Sequence, residues 1–152
     1  MTQWVGWLRR LGPEPCALVS VLATEGSAPR GAGTRMLVTA EGQQGTIGGG
    51  QLEFRAVEQA RAILDLPQGA WRIQDYPLGP LLGQCCGGRV RLLIEHIDPA
   101  ALEWLHDAEP GRMLETVLHD GTISRTVFER ETATRQSARG DRPDVGARFV
   151  EP

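Results

Sequence analysis

Two adjacent thiols, Cys85 and Cys86, stand in the stretch "LGPLLGQCCGG" (residues 78–88), flanked by Gly83, Gln84, Gly87 and Gly88. Packing is a weak reason for sulfur in a loop with so few side chains around it. A thiolate there would be stabilised by backbone N–H groups and by an arginine such as Arg89 or Arg30. Tetrahedral zinc wants four N or S ligands with spacers between paired cysteines, so a directly adjacent pair is a poor chelate. A vicinal disulfide would be strained. Sulfur chemistry, or thiolate ligation of a soft centre, suits these residues better. Cys16 is different: it opens the apolar run "CALVSVLA" and reads as a small buried hydrophobe.

Two further loops carry groups that could meet a ligand. "EGSAPRGAG" (residues 25–33) offers Glu25, Ser27 and Arg30 on a backbone opened by Gly26, Gly31 and Gly33. Arg30 and neighbouring N–H groups could hold a phosphate or carboxylate; the plainer alternative is a hairpin connection with solvated charges. In "GTIGGGQLEFRAVEQA" (residues 45–60), Gly48, Gly49 and Gly50 end a strand and open an amphipathic helix. Bare backbone at a helix start suits an anion, and an ordinary tight strand-to-helix turn has the same composition. Glu53 fits both readings, as a first-turn acid or as a ligand acceptor. The stretch lacks the Lys-Ser/Thr of a P-loop and the G-x-G-x-x-G of a Rossmann turn. His96, His106 and His119 are scattered and read as surface or packing residues, so no Ser-His-Asp or Cys-His constellation follows.

Short elements must position these loops. Residues 2–11 place Trp4, Trp7, Leu8 and Leu11 at helical spacing, with Thr2 as N-cap. Residues 16–23 form a buried strand, and "TRMLVTAEGQQGTIGG" predicts two strands joined at Glu41-Gly42. A helix from Gln51 to Leu64 carries the stripe Leu52, Ala56, Ala60, Ile63 and Leu64. Strands over 71–76 and 88–97 bracket the thiol loop. "DPAALEWLHDA" carries a helix start, with Asp98 as N-cap and Pro99 first inside. Residues 112–130 form a hairpin turning at Asp120-Gly121. Beyond residue 130 the chain is polar, with one short strand at "ARFVEP". The four tryptophans, Trp4, Trp7, Trp71 and Trp104, read as core anchors. The expected class is α/β (α+β): a mixed, largely antiparallel sheet with helices packed against it, as a single domain over 1–130, followed by a polar tail over 131–152.

The totals narrow the function. A chain of 152 residues can bury one ordinary core. Its mild net charge of -3 argues neither for a nucleic-acid duplex nor for an anionic membrane, and neither is expected as a partner. No window holds the ~18 apolar residues a membrane helix needs, and no signal peptide is visible. All 16 basic residues are arginine, so there is no lysine for Schiff-base chemistry. Three cysteines, two of them adjacent, point to reduced thiols in the cytoplasm.

Taken together and in this order, "TEGSAPRGAGTRMLVT", "GTIGGGQLE" and "LGQCCGGRVRLLIE" resemble the N-terminal domain of the xanthine dehydrogenase accessory factor family (XdhC/CoxI), over about residues 14–97. The resemblance implies a cytoplasmic chaperone, more a maturation factor than an enzyme. Such a protein binds the molybdenum cofactor (molybdopterin or its dinucleotide form) and holds it while a terminal sulfido ligand is installed. It then inserts the cofactor into a molybdenum hydroxylase apoenzyme. A cysteine desulfurase and a second copy of the chain are the further partners implied. Ser27, Arg30, Gly48, Gly49 and Gly50 would grip the anionic end. Gln84, Cys85, Cys86, Gly87 and Gly88 would face the metal end, the two cysteines as sulfur relay or as molybdenum ligands through the cofactor. A thiol-dependent sulfurtransferase carrying persulfide on Cys85 or Cys86 is one alternative, and a docking or dimerisation module with an exposed Trp4/Trp7 face is another. The chaperone is preferred because the sequence identifies no base beside a relay thiol. Members of the family continue into a Rossmann-like second domain, toward which the 131–152 tail would lead and which these residues do not contain.

Overall fold

The computed structural model describes residues 3–26, 30–79, 88–119, 121–129 and 148–151. Every strand pairing among them is antiparallel, and two α-helices accompany the strands, in keeping with the expected α+β class. The chain divides into two compact units, Glu14–Ile97 and the remainder, Met1–Pro13 with Asp98–Pro152.

The Glu14–Ile97 unit is a five-stranded sheet under one helix. Strands β1 (Ala17–Glu25), β2 (Arg35–Val38), β3 (Gln43–Gly45), β4 (Trp71–Pro77) and β5 (Arg89–His96) lie in the order β3-β2-β1-β5-β4. Strand β1 is apolar on both sides, and its residues 17–23 are all buried, the pattern of a central strand rich in β-branched and aliphatic residues. The register against β5 shifts between Val21 and Ala23. This bulge increases local twist just where β1 runs on past β2.

Helix α2 (Gly50–Ile63) covers one face through Leu52, Ala56, Ala60 and Ile63, each at most 1% exposed. The two alanines let the helix come close to Val19, Val21, Leu92 and Ile94 of the same cluster. Fully burying each leucine or isoleucine contributes about 1.5–3 kcal/mol.

In the other unit, β6 (Arg112–His119) pairs with β7 (Thr122–Glu129) on one side and β8 (Arg148–Glu151) on the other. The hairpin closes at His119↔Thr122, with Gly121 at φ 78, the positive φ that tight hairpin turns require. The short strand expected near the C-terminus thus joins a sheet. Helix α1 (Gln3–Leu11) buries Trp4, Val5 and Leu8. Trp4 packs against Trp104 with ring centroids 5.6 Å apart and the planes tilted by 48°, and the Arg125 guanidinium lies over both rings at 5.7 and 5.9 Å. Arg9 donates to the carbonyls of Leu105 and Ala108, both at 2.6 Å.

One expectation is corrected. Residues 98–108 do not form an α-helix but two 3-10 turns, Pro99–Ala101 and Glu103–His106. Asp98 does cap the first, accepting from the Ala100 N–H at 3.0 Å. Leu102, at φ -102 and ψ 19, leaves the helical region between them, and so short a segment gains little from helix propagation.

Candidate functional site

The sheet register brings three connections to one end of the Glu14–Ile97 unit. Strand β1 ends beside the start of β5, with Glu25 opposite Arg89, and Arg89 in turn faces Pro77 at the end of β4. The start of β2 lies at the same end, with Arg35 opposite Ser20, and so does the end of β3, with Gly45 opposite Met36. The connections after β1, after β3 and after β4 therefore leave from the same end of the sheet, β1 at its centre and β3 and β4 at its two edges. They are the three loops that carried chemistry in the sequence. Ile47 and Leu52 around the glycine turn share one buried cluster with Tyr76, Leu78 and Val90.

Each loop has its own anchoring. After β1, Gly33 N–H donates to the Val21 carbonyl at 2.8 Å, Val21 N–H to Thr34 at 2.9 Å, and the Arg35 guanidinium to the Gly33 carbonyl at 2.7 Å. Arg30 stands exposed on this frame. After β4, the Leu78 N–H donates to the Gly88 carbonyl at 2.7 Å and pins the two stems together. Gly88 is buried. Ser27, Gln84, Cys85, Cys86 and Gly87 lie outside the described residues.

The glycine turn is the best-defined part. Gly48, Gly49 and Gly50 have φ of 123, 77 and 65. Gly49, with ψ -169, occupies a region that is essentially glycine-only. No side chain caps α2. Instead Glu53 folds back over the turn. Its Oε1 accepts from the Ile47 N–H at 3.0 Å, the Gly49 N–H at 3.2 Å and the Thr46 hydroxyl, and Oε2 accepts from Gln43 Nε2 at 3.3 Å. The Gly48 N–H donates to Thr46 Oγ1 at 3.1 Å. Burial pushes this carboxyl up, but the bonds from Thr46, Ile47, Gly49 and Gln43 outweigh it and hold the group below its ordinary value. Of the two roles open to Glu53, the first-turn acid is the one seen. The N–H groups of Ile47 and Gly49 already have an anion, supplied by the chain itself.

Beside that carboxylate runs an open groove of about 540 Å³ along the outer side of α2, reaching Gln43 of edge strand β3. Phe54, Val57, Glu58 and Arg61 line it along the helix, and Phe54 is 65% exposed. Arg61 Nε donates to the Thr39 carbonyl at 3.2 Å. Sequence reading missed this groove. The available signal was Phe54, an aromatic residue off the Leu52–Ala56–Ala60–Ile63 stripe.

Residues 10–76 match the model of the XdhC and CoxI family. Over those residues, under half of its length, the chain is similar to that family. The matched segment takes in Arg30, the glycine turn, Glu53 and the groove, and it ends before the thiol loop. A crystal structure described as a xanthine dehydrogenase from Bacillus halodurans matches 99% of this chain, with a TM-score of 0.70 and 18% identity. The chain spans about half of that protein, 52% of its length. At this identity the likeness shows a shared fold. No curated protein matches the sequence.

The remaining chemistry-bearing residues lie elsewhere or serve packing. Cys16 is buried, and its thiol is pushed up to about 11 by that burial and by the carboxylates of Glu14 and Glu95. This is a packing thiol, as expected. His96 is buried with Nδ1 2.9 Å from the Leu66 carbonyl. Trp4 is 2% exposed, so it presents no face for docking. Trp7 and Trp71 are half-buried. Among the described residues no three His, Cys, Asp or Glu side chains form a metal-binding group, and no helix is long and apolar enough to cross a membrane.

Proposed function

We propose that this chain is a cytoplasmic accessory factor that binds the molybdenum cofactor. In this reading it holds the cofactor for sulfuration and passes it to a xanthine-dehydrogenase-type hydroxylase. The observation that carries the reading is the family match over residues 10–76, which contains Arg30 and Gly48–Gly50. The fold supports it by opening the ligand-competent connections at a single end of one sheet. When bound, the cofactor supplies a redox-active molybdenum held by a pterin dithiolene.

The chain's own residues suit an extended anionic heterocycle. Arg30 offers a forked cation for a phosphate or pyrophosphate, with Ser27 as a neighbouring hydroxyl. Gly48, Gly49 and Gly50 leave the backbone bare, so an anion can approach the first N–H groups of α2. Glu53 keeps the Ile47 and Gly49 donors for itself. In this proposal Cys85 and Cys86 offer sulfur to the soft metal end, with Gln84, Gly87 and Gly88 beside them. The partners are the hydroxylase apoenzyme, a cysteine desulfurase as sulfur source, and a second copy of the chain.

Anaerobic purification followed by molybdenum and pterin analysis tests the reading. The wild-type chain should retain both, Arg30→Ala should retain less, and the Cys85→Ser/Cys86→Ser double variant should lose the metal. Wild-type protein free of molybdenum and pterin after expression in a cofactor-producing host would refute it.

A further inference from the structure

We infer that the groove between α2 and the β3 edge seats the pterin ring of the cofactor, stacked on Phe54 with its amino edge against Glu53. The inference rests on the cofactor reading above for the identity of the ring.

Three observations carry it. Phe54 keeps 65% of its surface in water on a helix whose core face is already complete with Leu52, Ala56, Ala60 and Ile63. An aromatic face on a concave wall, beside half-buried Val57, is a stacking platform for a flat heterocycle.

The second observation is the division of labour within Glu53. Oε1 takes three hydrogen bonds, while Oε2 takes a single long one from Gln43 at 3.3 Å. The carboxylate is held ionised and fixed in orientation, Glu53 lines the groove, and Oε2 keeps acceptor capacity. A 2-amino-4-oxopyrimidine edge presents an amino N–H and a ring N–H side by side, and with Oε1 filled from within the turn both would converge on Oε2.

The third observation is charge. The lining holds two carboxylates, Glu53 and Glu58, against one guanidinium, Arg61. That balance disfavours a bare anion and favours a donor-rich ring. Arg61 lies eight residues along the helix from Glu53, about 12 Å at the α-helical rise, and its Nε is taken by the Thr39 carbonyl, so the ring edge is left to Glu53.

Pterin and guanine share this edge, whereas cytosine does not. The test titrates the chain with free pterin, followed by pterin fluorescence, and with GMP and CMP by calorimetry. Pterin should bind, GMP more weakly, and CMP not at all. Phe54→Ala should weaken pterin at least about tenfold, within the usual worth of stacking one ring on an aromatic side chain. Phe54→Trp should retain binding, and Glu53→Gln should weaken it.

No pterin binding, equal binding by Phe54→Ala, or CMP binding as well as pterin would overturn the inference. GMP binding more tightly than pterin would assign the edge to guanine and overturn it equally. The failures are separable. Wild-type chain that retains molybdenum but does not bind free pterin sinks the groove and leaves the cofactor reading standing. Chain that binds pterin in this groove yet never retains cofactor sinks the proposed function instead.

Discussion

Removing the Glu53 carboxylate should unlatch the glycine turn without dissolving the sheet. In Glu53→Ala the Ile47 and Gly49 N–H groups, both partly buried, lose their acceptor, and so does the Thr46 hydroxyl. Hydrogen bonds to a charged group contribute about 1.5–3 kcal/mol each. Those sharing Oε1 are not additive, and water reaches this half-buried site, so about 2 kcal/mol in total is expected for alanine. Glu53→Gln keeps an oxygen acceptor and should lose about half as much. In a chain of this size the alanine loss corresponds to about 4–8 °C in Tm. Urea denaturation read by circular dichroism gives the global value, and amide hydrogen exchange at Ile47 and Gly49 gives the local one. The pH dependence has a definite sign. The folded carboxyl lies below its ordinary 4.5, so its stabilisation is complete above the ordinary value and is lost as pH falls through the depressed one. The difference between wild type and Glu53→Gln should therefore shrink in acid. Unchanged exchange at Ile47 and Gly49 in Glu53→Ala would refute this account of the turn.

Three other perturbations have clear expected outcomes. Gly49→Ala meets no neighbouring atom at its new Cβ, yet its φ of 77 should destabilise by about 1–3 kcal/mol through backbone strain alone, measured by the urea midpoint. Cys16 should resist alkylation by iodoacetamide at pH 8 until the protein is denatured, as mass spectrometry would show. Because its folded thiol is raised from 9.0 to about 11, it should withdraw stability as pH climbs through that interval, where the unfolded thiol ionises first. Trp4→Ala should cost about 3–5 kcal/mol by opening a cavity against Trp104, read from denaturation with the remaining tryptophans as probes.

The elements most legible in the sequence were those whose periodicity was reinforced by burial. Leu52, Ala56, Ala60 and Ile63 recur at helical spacing because one face of α2 must meet the sheet. The β2–β3 hairpin was legible from its turn chemistry, since the Gly42 N–H binds Thr39 Oγ1 at 3.1 Å. The 98–108 segment misled because Asp98 and Pro99 are true start signals that say nothing about length. Within the site, Glu53 was legible as a first-turn acid but not as the occupant of the turn's N–H groups. That role depends on positive φ at three successive glycines, which bends residues 46–49 back over the helix start. The groove was hidden because it needs edge strand β3 and the outer side of α2 together, a tertiary relation without a local pattern.

The topology explains why chemistry collects at one end of this sheet. At the opposite end the β2–β3 connection is a tight turn over residues 39–42, closed by the Thr39 N–H to the Gly42 carbonyl at 2.9 Å. The passage from α2 to β4 is fastened there too, Gly69 N–H donating to the His96 carbonyl and His96 N–H to Ala70, at 2.9 and 2.8 Å. Those bonds close the backbone on itself. The other end carries the longer connections after β1 and β4, with the glycine turn beside them. Loops on a rigid scaffold are free to present function because the core does not depend on them. The Glu53 latch is an exception built into that end, and it holds one connection in a single shape beside the exposed Phe54 ring. If the latch and the ring serve one ligand, Glu53→Gln and Phe54→Ala should be non-additive in pterin affinity while additive in stability. Phe54 makes no bond within the latch, so a shared ligand would couple their binding effects without coupling their folding effects. Unchanged pterin affinity in Glu53→Gln would separate the turn from the groove and leave Glu53 a purely structural acid.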